Sequence, residues 1–320
     1  MTIMEALQII IPAAIFSAAP LILTALGGVF SERSGVVNIG LEGLMVMGAF
    51  VGATVTLFAQ DWGFGRLSPW FALLIAAIVG ALFSLLHALA TVTFRADHVV
   101  SGVAINFLAT GLCVFLTKKI FESGQTPYID QRIFKIDIPV LGDIPIIGPL
   151  FFQNAYLTSY LAIIIAFVVW YVIFKTPFGL RLRSVGEHPQ AADTMGINVT
   201  KMRYIGVMLS GALGGLGGAV YVTSIATNFG ASTIAGQGFM ALAAMIFGKW
   251  NPLGALGAAL FFGLAQSLSV IGGAIPLLSS IPVVYLQIAP YALTILALAG
   301  FIGRAEAPKA NGENYIKGER

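Results

Sequence analysis

The sequence predicts an all-α fold: a polytopic membrane helical bundle of about nine transmembrane helices, N-terminus out and C-terminus in, with an inverted repeat. Three observations predict it. Of 320 residues, 58% are hydrophobic and only 10% charged, against about 25% charged in a soluble domain that must cover its own surface. The apolar residues gather into runs of roughly 20, enough to cross ~30 Å of hydrocarbon as a helix, and not into the ~10-residue alternations of a barrel. Lys and Arg fall between those runs with a strong bias to one side.

The first run, 7–30, has no Lys or Arg ahead of it in MTIMEALQIIIPAAIF, so it reads as a mature span and not as a cleaved signal. Runs at 37–59, 70–92 and 99–117 follow. They lead into residues 118–156, where repeated Pro and Gly with alternations such as FKIDIPV predict an external loop holding a strand or short helix. The fifth run, 157–174, leads into the polar segment 175–203, where AADTMG predicts a short helix ending near Gly196. Runs at 203–223, 233–247, 253–272 and 281–301 complete a transmembrane domain spanning 1–304. The run 233–247 is short for a straight crossing and predicts a broken or partly re-entrant helix. The tail 305–320, AEAPKANGENYIKGER, is polar and is expected to be cytoplasmic and disordered.

In this orientation 12 of the 17 Lys and Arg lie inside, Arg33, Arg181, Arg183 and Lys249 among them, and five outside: Arg66, Lys118, Lys119, Arg132 and Lys135. The net charge of +3 therefore reflects topology, and no nucleic-acid partner is expected.

Glu42 is the only acid inside these runs, and Asn38, four residues earlier, is expected on the same face of the second helix. The pair either lines a solute path or clamps helices together. Asn106, Gln237 and Gln266, with Asn228 nearby, are the other amides near membrane depth. Each suits a hydroxylated solute, and each suits interhelical hydrogen bonding, the commoner use. His87 reads as a satisfied histidine near the inner end of helix 3; His98 and His188 have no ligand spacing, and the single Cys113 has no partner, so no metal site or disulfide is expected. Gly48 and Gly52, then Gly211, Gly214, Gly215 and Gly218, form GxxxG frames that suit close helix packing. No GxxxxGK[ST], HExxH or GxSxG is present, which argues against an enzyme and against ATP binding by this chain. Residues 39–49, IGLEGLMVMGA, align without gaps to 234–244, IAGQGFMALAA, pairing Glu42 with Gln237 and Gly43 with Gly238. The two segments run in opposite directions across the membrane, as an inverted repeat requires.

The run SERSGVVNIGLEGLMVMGAFVGA, 31–53, closely resembles the permease subunits of bacterial ABC importers of the ribose and branched-chain amino acid superfamily. DHVVSGVAINFLATGL, 97–112, and TPFGLRLRSVGEHPQAADTMGIN, 176–198, look like the shorter of two permeases in nucleoside importers, and the resemblance covers about residues 7–304. It implies a type II-like importer permease in the bacterial plasma membrane. It also implies partners: a second, longer permease in a heterodimer, an ATP-binding cassette ATPase that uses ATP and Mg, and an extracellular nucleoside-binding lipoprotein, all in membrane lipid. The ATPase-coupling role then falls on residues 186–198, with Gly186, Glu187, His188, Gln190, Ala191, Ala192, Gly196 and Ile197 as candidates. QAADTMG, 190–196, is similar to the EAAxxxG loop of ABC permeases except that Gln190 replaces the Glu. Arg181, Arg183, Lys201 and Arg203 flank it and suit acidic partner residues. The expected function is nucleoside import. The alternatives are a simple sugar such as ribose carried by the same machinery, or an ion-coupled secondary carrier, which also accommodates nine spans and an inverted repeat.

Overall fold

A computed structural model describes residues 3–271 apart from 138, 140 and 146, five positions between 282 and 292, and residues 307–318. Among them, seven helices are long and apolar enough to cross a membrane, by length and composition. The span expected at 281–301 lies outside the described residues, save for those scattered positions.

Helix α1 (Ile3–Arg33) is longer than its apolar run because Ser31, Glu32 and Arg33 extend it by a turn. Gly35, at φ +89°, stops it. Helices α2 (Leu41–Asp61), α3 (Ser68–Ala88) and α4 (His98–Phe121) follow, α3 running on through a π-turn at Leu89–Thr93. After the loop come α5 (Leu157–Lys175), α6 (Pro177–Glu187), α7 (Pro189–Thr194) and α8 (Val199–Tyr221), the last continued by a π-turn at Val222–Ala226. Helices α9 (Gln237–Phe247) and α10 (Pro252–Ile271) complete the described elements.

α1, α2 and α8 form the centre; α2 is the most enclosed, with 83% of its apolar window buried. Missing side chains let α8 approach its neighbours. A Cβ on Gly48 would lie 2.0 Å from the Gly215 carbonyl oxygen, one on Gly218 2.0 Å from that of Met45, and one on Gly211 2.3 Å from that of Gly80. Gly52 faces Ala219 and Gly214 faces Leu44. α4 is peripheral, with 28% of its window buried. In the loop, isolated β-bridges pair Gln125 with Gly230 and Ile136 with Ala155, and a π-turn covers Gly148–Phe152.

Two expectations are corrected. The second helix does not begin at 37: residues 34–40 are irregular, so Asn38 precedes α2 and does not share a helical face with Glu42. Side chains replace the missing helical bonds. His98 Nδ1 accepts the Val37 N–H at 3.2 Å, and His87 Nε2 donates to the Val37 carbonyl at 3.0 Å. Because that carbonyl only accepts, His87 Nε2 carries the proton and Nδ1 accepts from the Ser101 hydroxyl at 2.8 Å. The tail is corrected too. Residues 307–318 lie against the ends of α1, α6 and α8 instead of dangling, for reasons given below.

Candidate functional site

The first site lies within the bundle, where α2 and α9 begin. Asn228–Gly236 descends as irregular backbone, and Gly236, at φ +85°, turns it into α9. At ~1.5 Å per residue an 11-residue helix is only ~16 Å long, half of a hydrocarbon layer. Its far end is fixed beside Arg33, whose Nε donates to the Trp250 carbonyl at 2.9 Å. Its first turn therefore lies about 16 Å from that end of the bundle, and the short seventh run is a short helix entered through irregular backbone at 228–236.

Glu42 holds that first turn. Its Oε1 accepts the Gly236 N–H at 2.7 Å and its Oε2 the Gly238 N–H at 2.6 Å, satisfying donors that a helix start leaves free and placing a carboxylate at the positive end of the dipole. Gly238 allows the approach: a Cβ there would fall 2.4 Å from the Glu42 Cα. Asn106 does the same for α2. Its Oδ1 accepts the Gly43 N–H at 2.7 Å while its Nδ2 donates to the Ile39 carbonyl at 3.1 Å. Gln266 Nε2 donates to Gln237 Oε1 at 3.1 Å, joining α10 to α9. Asn38 Nδ2 donates to Ser210 Oγ of α8 at 3.0 Å, and its buried Oδ1 has no hydrogen-bond partner among the described residues. Glu42, Asn106, Gln237 and Gln266 thus converge on the two helix starts, and the segments paired by internal similarity touch there. Asn38 stands apart from them, bonded to α8. Asn228 lies toward the loop, its Nδ2 donating to Gln125 Oε1 at 3.2 Å.

The second site is at the end of the bundle that carries Arg33, Arg183 and Lys249. Thr176 caps α6 by accepting the Gly179 N–H at 3.2 Å, and Pro177 and Pro189 open α6 and α7. Gly186 is pressed onto the end of α1, where a Cβ would lie 2.3 Å from the Arg33 carbonyl. Across α7, His188, Gln190, Ala191 and Gly196 are exposed, Ala192 is buried, and Glu187 and Ile197 are half-buried. Met195, 82% exposed, projects beside a groove of about 800 Å³ lined by Phe178, Leu180, Arg181 and Ile205.

Two buried ionisable residues sit beneath this segment: Glu32, which sequence reasoning missed, and Arg203, which it read as open to a partner. Glu32 is 4% exposed and accepts from Trp250 Nε1 at 2.6 Å and Asn311 Nδ2 at 3.0 Å, both on Oε2. Arg203, expected among the flanking cations open to a partner, is 1% exposed and donates through Nη1 to the Glu313 carbonyl at 2.8 Å. These buried polar groups draw the tail in. Burial, followed by a hydrogen bond to the Asp193 carboxylate, pushes the Tyr315 hydroxyl pKa up. The dipeptide Asn311-Gly312, a turn signal, is the one cue to this order in the tail sequence.

The family model described as the permease component of the branched-chain amino acid transport system matches residues 10–299. The chain is 64% identical to the guanosine ABC transporter permease protein NupQ of Bacillus subtilis over 100% of both chains. It is 54% identical to the nucleoside ABC transporter permease protein NupC of Lactococcus lactis over 99% of both. The guanosine ABC transporter permease protein NupP of Bacillus subtilis is 26% identical, the match covering 76% of this chain and 69% of NupP, the longer protein. Among solved structures, an inward-facing metal-chelate type ABC transporter matches with a TM-score of 0.50 at 16% identity, covering 91% of this chain and 85% of that one, a likeness of fold.

Proposed function

Since the chain belongs to the family of branched-chain amino acid transport system permease components, we propose that it is the permease subunit of an ABC importer carrying nucleosides across the bacterial plasma membrane. One observation carries the reading. Two relatives named for guanosine and nucleoside transport align over the full chain at 64% and 54% identity. The longer NupP and the same-species NupQ are both named as guanosine ABC transporter permeases, which supports a second, longer permease as partner here. The ATPase, with its ATP and Mg, and the extracellular nucleoside-binding lipoprotein complete the proposed assembly.

The geometry suits that role. The Arg33 end faces the cytoplasm under the positive-inside rule. There the exposed residues of α7 and the adjoining groove offer a surface for the ATPase, and Gly186 passes its displacement to the end of α1. α9 is a short helix that packs Met240, Ala241, Ala244 and Met245 into the core and is held at both ends by hydrogen bonds. Such an element can have two discrete arrangements, as alternating access requires. Glu42 and Asn106 spend their polar atoms on the helix starts and Gln266 ties α10 to Gln237, so their contribution to the path is its shape; the buried Asn38 Oδ1, without a partner among the described residues, is the candidate polar group of the path.

The test is uptake of labelled guanosine, uridine and ribose in cells lacking the gene and in complemented cells. ATP-dependent nucleoside uptake restored by the gene supports the reading. Restored ribose uptake alone would transfer the role to a simple sugar, and uptake that follows the proton gradient instead of ATP would replace the importer with a secondary carrier.

A further inference from the structure

The tail does more than fill a groove. On one side it is bonded to the coupling segment, the Lys309 N–H to Glu187 Oε2 at 3.3 Å and the Ala310 N–H to the Gly186 carbonyl at 2.9 Å, and its Tyr315 lines one groove with Asp193 of α7. On the other it is bonded to the membrane helices: the Gly312 N–H to the Gly35 carbonyl at 3.1 Å, the Glu313 carbonyl to Arg203 at 2.8 Å, and Asn311 Nδ2 to Glu32 Oε2 at 3.0 Å. That same Glu32 oxygen accepts the Trp250 indole N–H at 2.6 Å, and Trp250 closes the turn that ends α9.

We infer that residues 307–318 are a strap that carries the displacement of segment 186–198 to α9, with Asn311, Glu32 and Trp250 as the positioning residues at its far end. The inference rests on the reading of 186–198 as the ATPase-docking segment. Ordering a polar, Gly-containing stretch costs conformational entropy and returns little apolar burial. Here it is offset by bonds to Glu32 and Arg203, two buried ionisable groups that need partners. The bonds reach both the segment an ATPase would push and the helix that would respond. A strap fastened at one end only would follow the push without passing it on.

The experiment uses the complete transporter in proteoliposomes, measuring ATP hydrolysis and labelled guanosine uptake together. Two variants are compared with wild type: one lacking residues 307–320, and Asn311→Asp, which sets a second carboxylate against Glu32. Both are expected to assemble and hydrolyse ATP while guanosine carried per ATP falls about tenfold, within the usual range of coupling factors. An unchanged ratio in the assembled Asn311→Asp transporter would overturn the strap.

A cross-link keeps the inference testable if the shortened chain fails to assemble. With Cys113→Ser, Asp193→Cys and Tyr315→Cys, oxidation fixes the strap to α7. Uptake should survive, because the two move together; loss of uptake with hydrolysis intact would mean that the strap must release, contrary to the inference. ATP-independent uptake by wild type would instead reject the importer reading itself, and is seen before any variant is made.

Discussion

Glu42 and Gly238, 196 residues apart in sequence, meet at 2.6 Å, carboxylate to backbone N–H, where α9 begins. With the Gly236 N–H on its other oxygen, this one side chain fixes the point where irregular backbone turns into α9. Three predictions follow from such contacts and a fourth from the function.

Glu42→Gln keeps one acceptor oxygen and loses the charge, so one of the two N–H groups loses its partner. The expected cost is about 1–3 kcal/mol, with transport reduced but retained. Glu42→Ala removes both acceptors and is expected to abolish uptake. Thermal denaturation in detergent beside uptake in cells checks the order; equal activity in both variants would show that the carboxylate does not hold α9.

At the α2–α8 crossing, Gly48→Ala places a methyl 2.0 Å from the Gly215 carbonyl and forces two backbones apart. Overpacking of this kind costs about 1–3 kcal/mol. Gly111→Ala, on the exposed side of α4 where a Cβ meets nothing within 4 Å, is expected to be neutral or to stabilise by up to about 1 kcal/mol. A lower midpoint for the Gly111 variant than for the Gly48 variant would contradict the close-approach account.

Ala191 and Ala192 are neighbours with opposite environments, one exposed and one buried. Ala191→Glu should leave the bundle intact and block ATPase co-purification and uptake. Ala192→Glu buries a charge and should also destabilise the segment, visible as faster proteolysis between α6 and α8. Wild-type uptake with Ala191→Glu would remove α7 from the docking surface.

Much of the bundle is legible in the sequence. Among the described residues each long apolar run marks a helix because hydrophobicity is the membrane's criterion, and the shortness of 233–247 marks the short α9. Glu42, Asn106 and Gln237 stand out as polar residues in apolar surroundings. Their partners do not, because hydrogen bonds such as Asn106 to Gly43 join distant segments and leave no local period. Glu32 and Arg203 escaped for a further reason: residues at the end of an apolar run read as solvated, and only the fold shows that Asn311 and Glu313 return to cover them. The helical start expected at 37 failed because His87 and His98 satisfy the Val37 backbone as well as a helix would.

The central claim is that this chain conducts nucleosides under ATP control, and ATP-dependent uptake tests it most directly. Labelled guanosine is given to cells lacking the gene, with and without complementation, while ATP and the proton gradient are depleted separately. The account predicts that complementation restores guanosine uptake, that ATP depletion abolishes it and that gradient collapse at maintained ATP leaves it. Restored uptake that survives ATP depletion and vanishes with the gradient would contradict it.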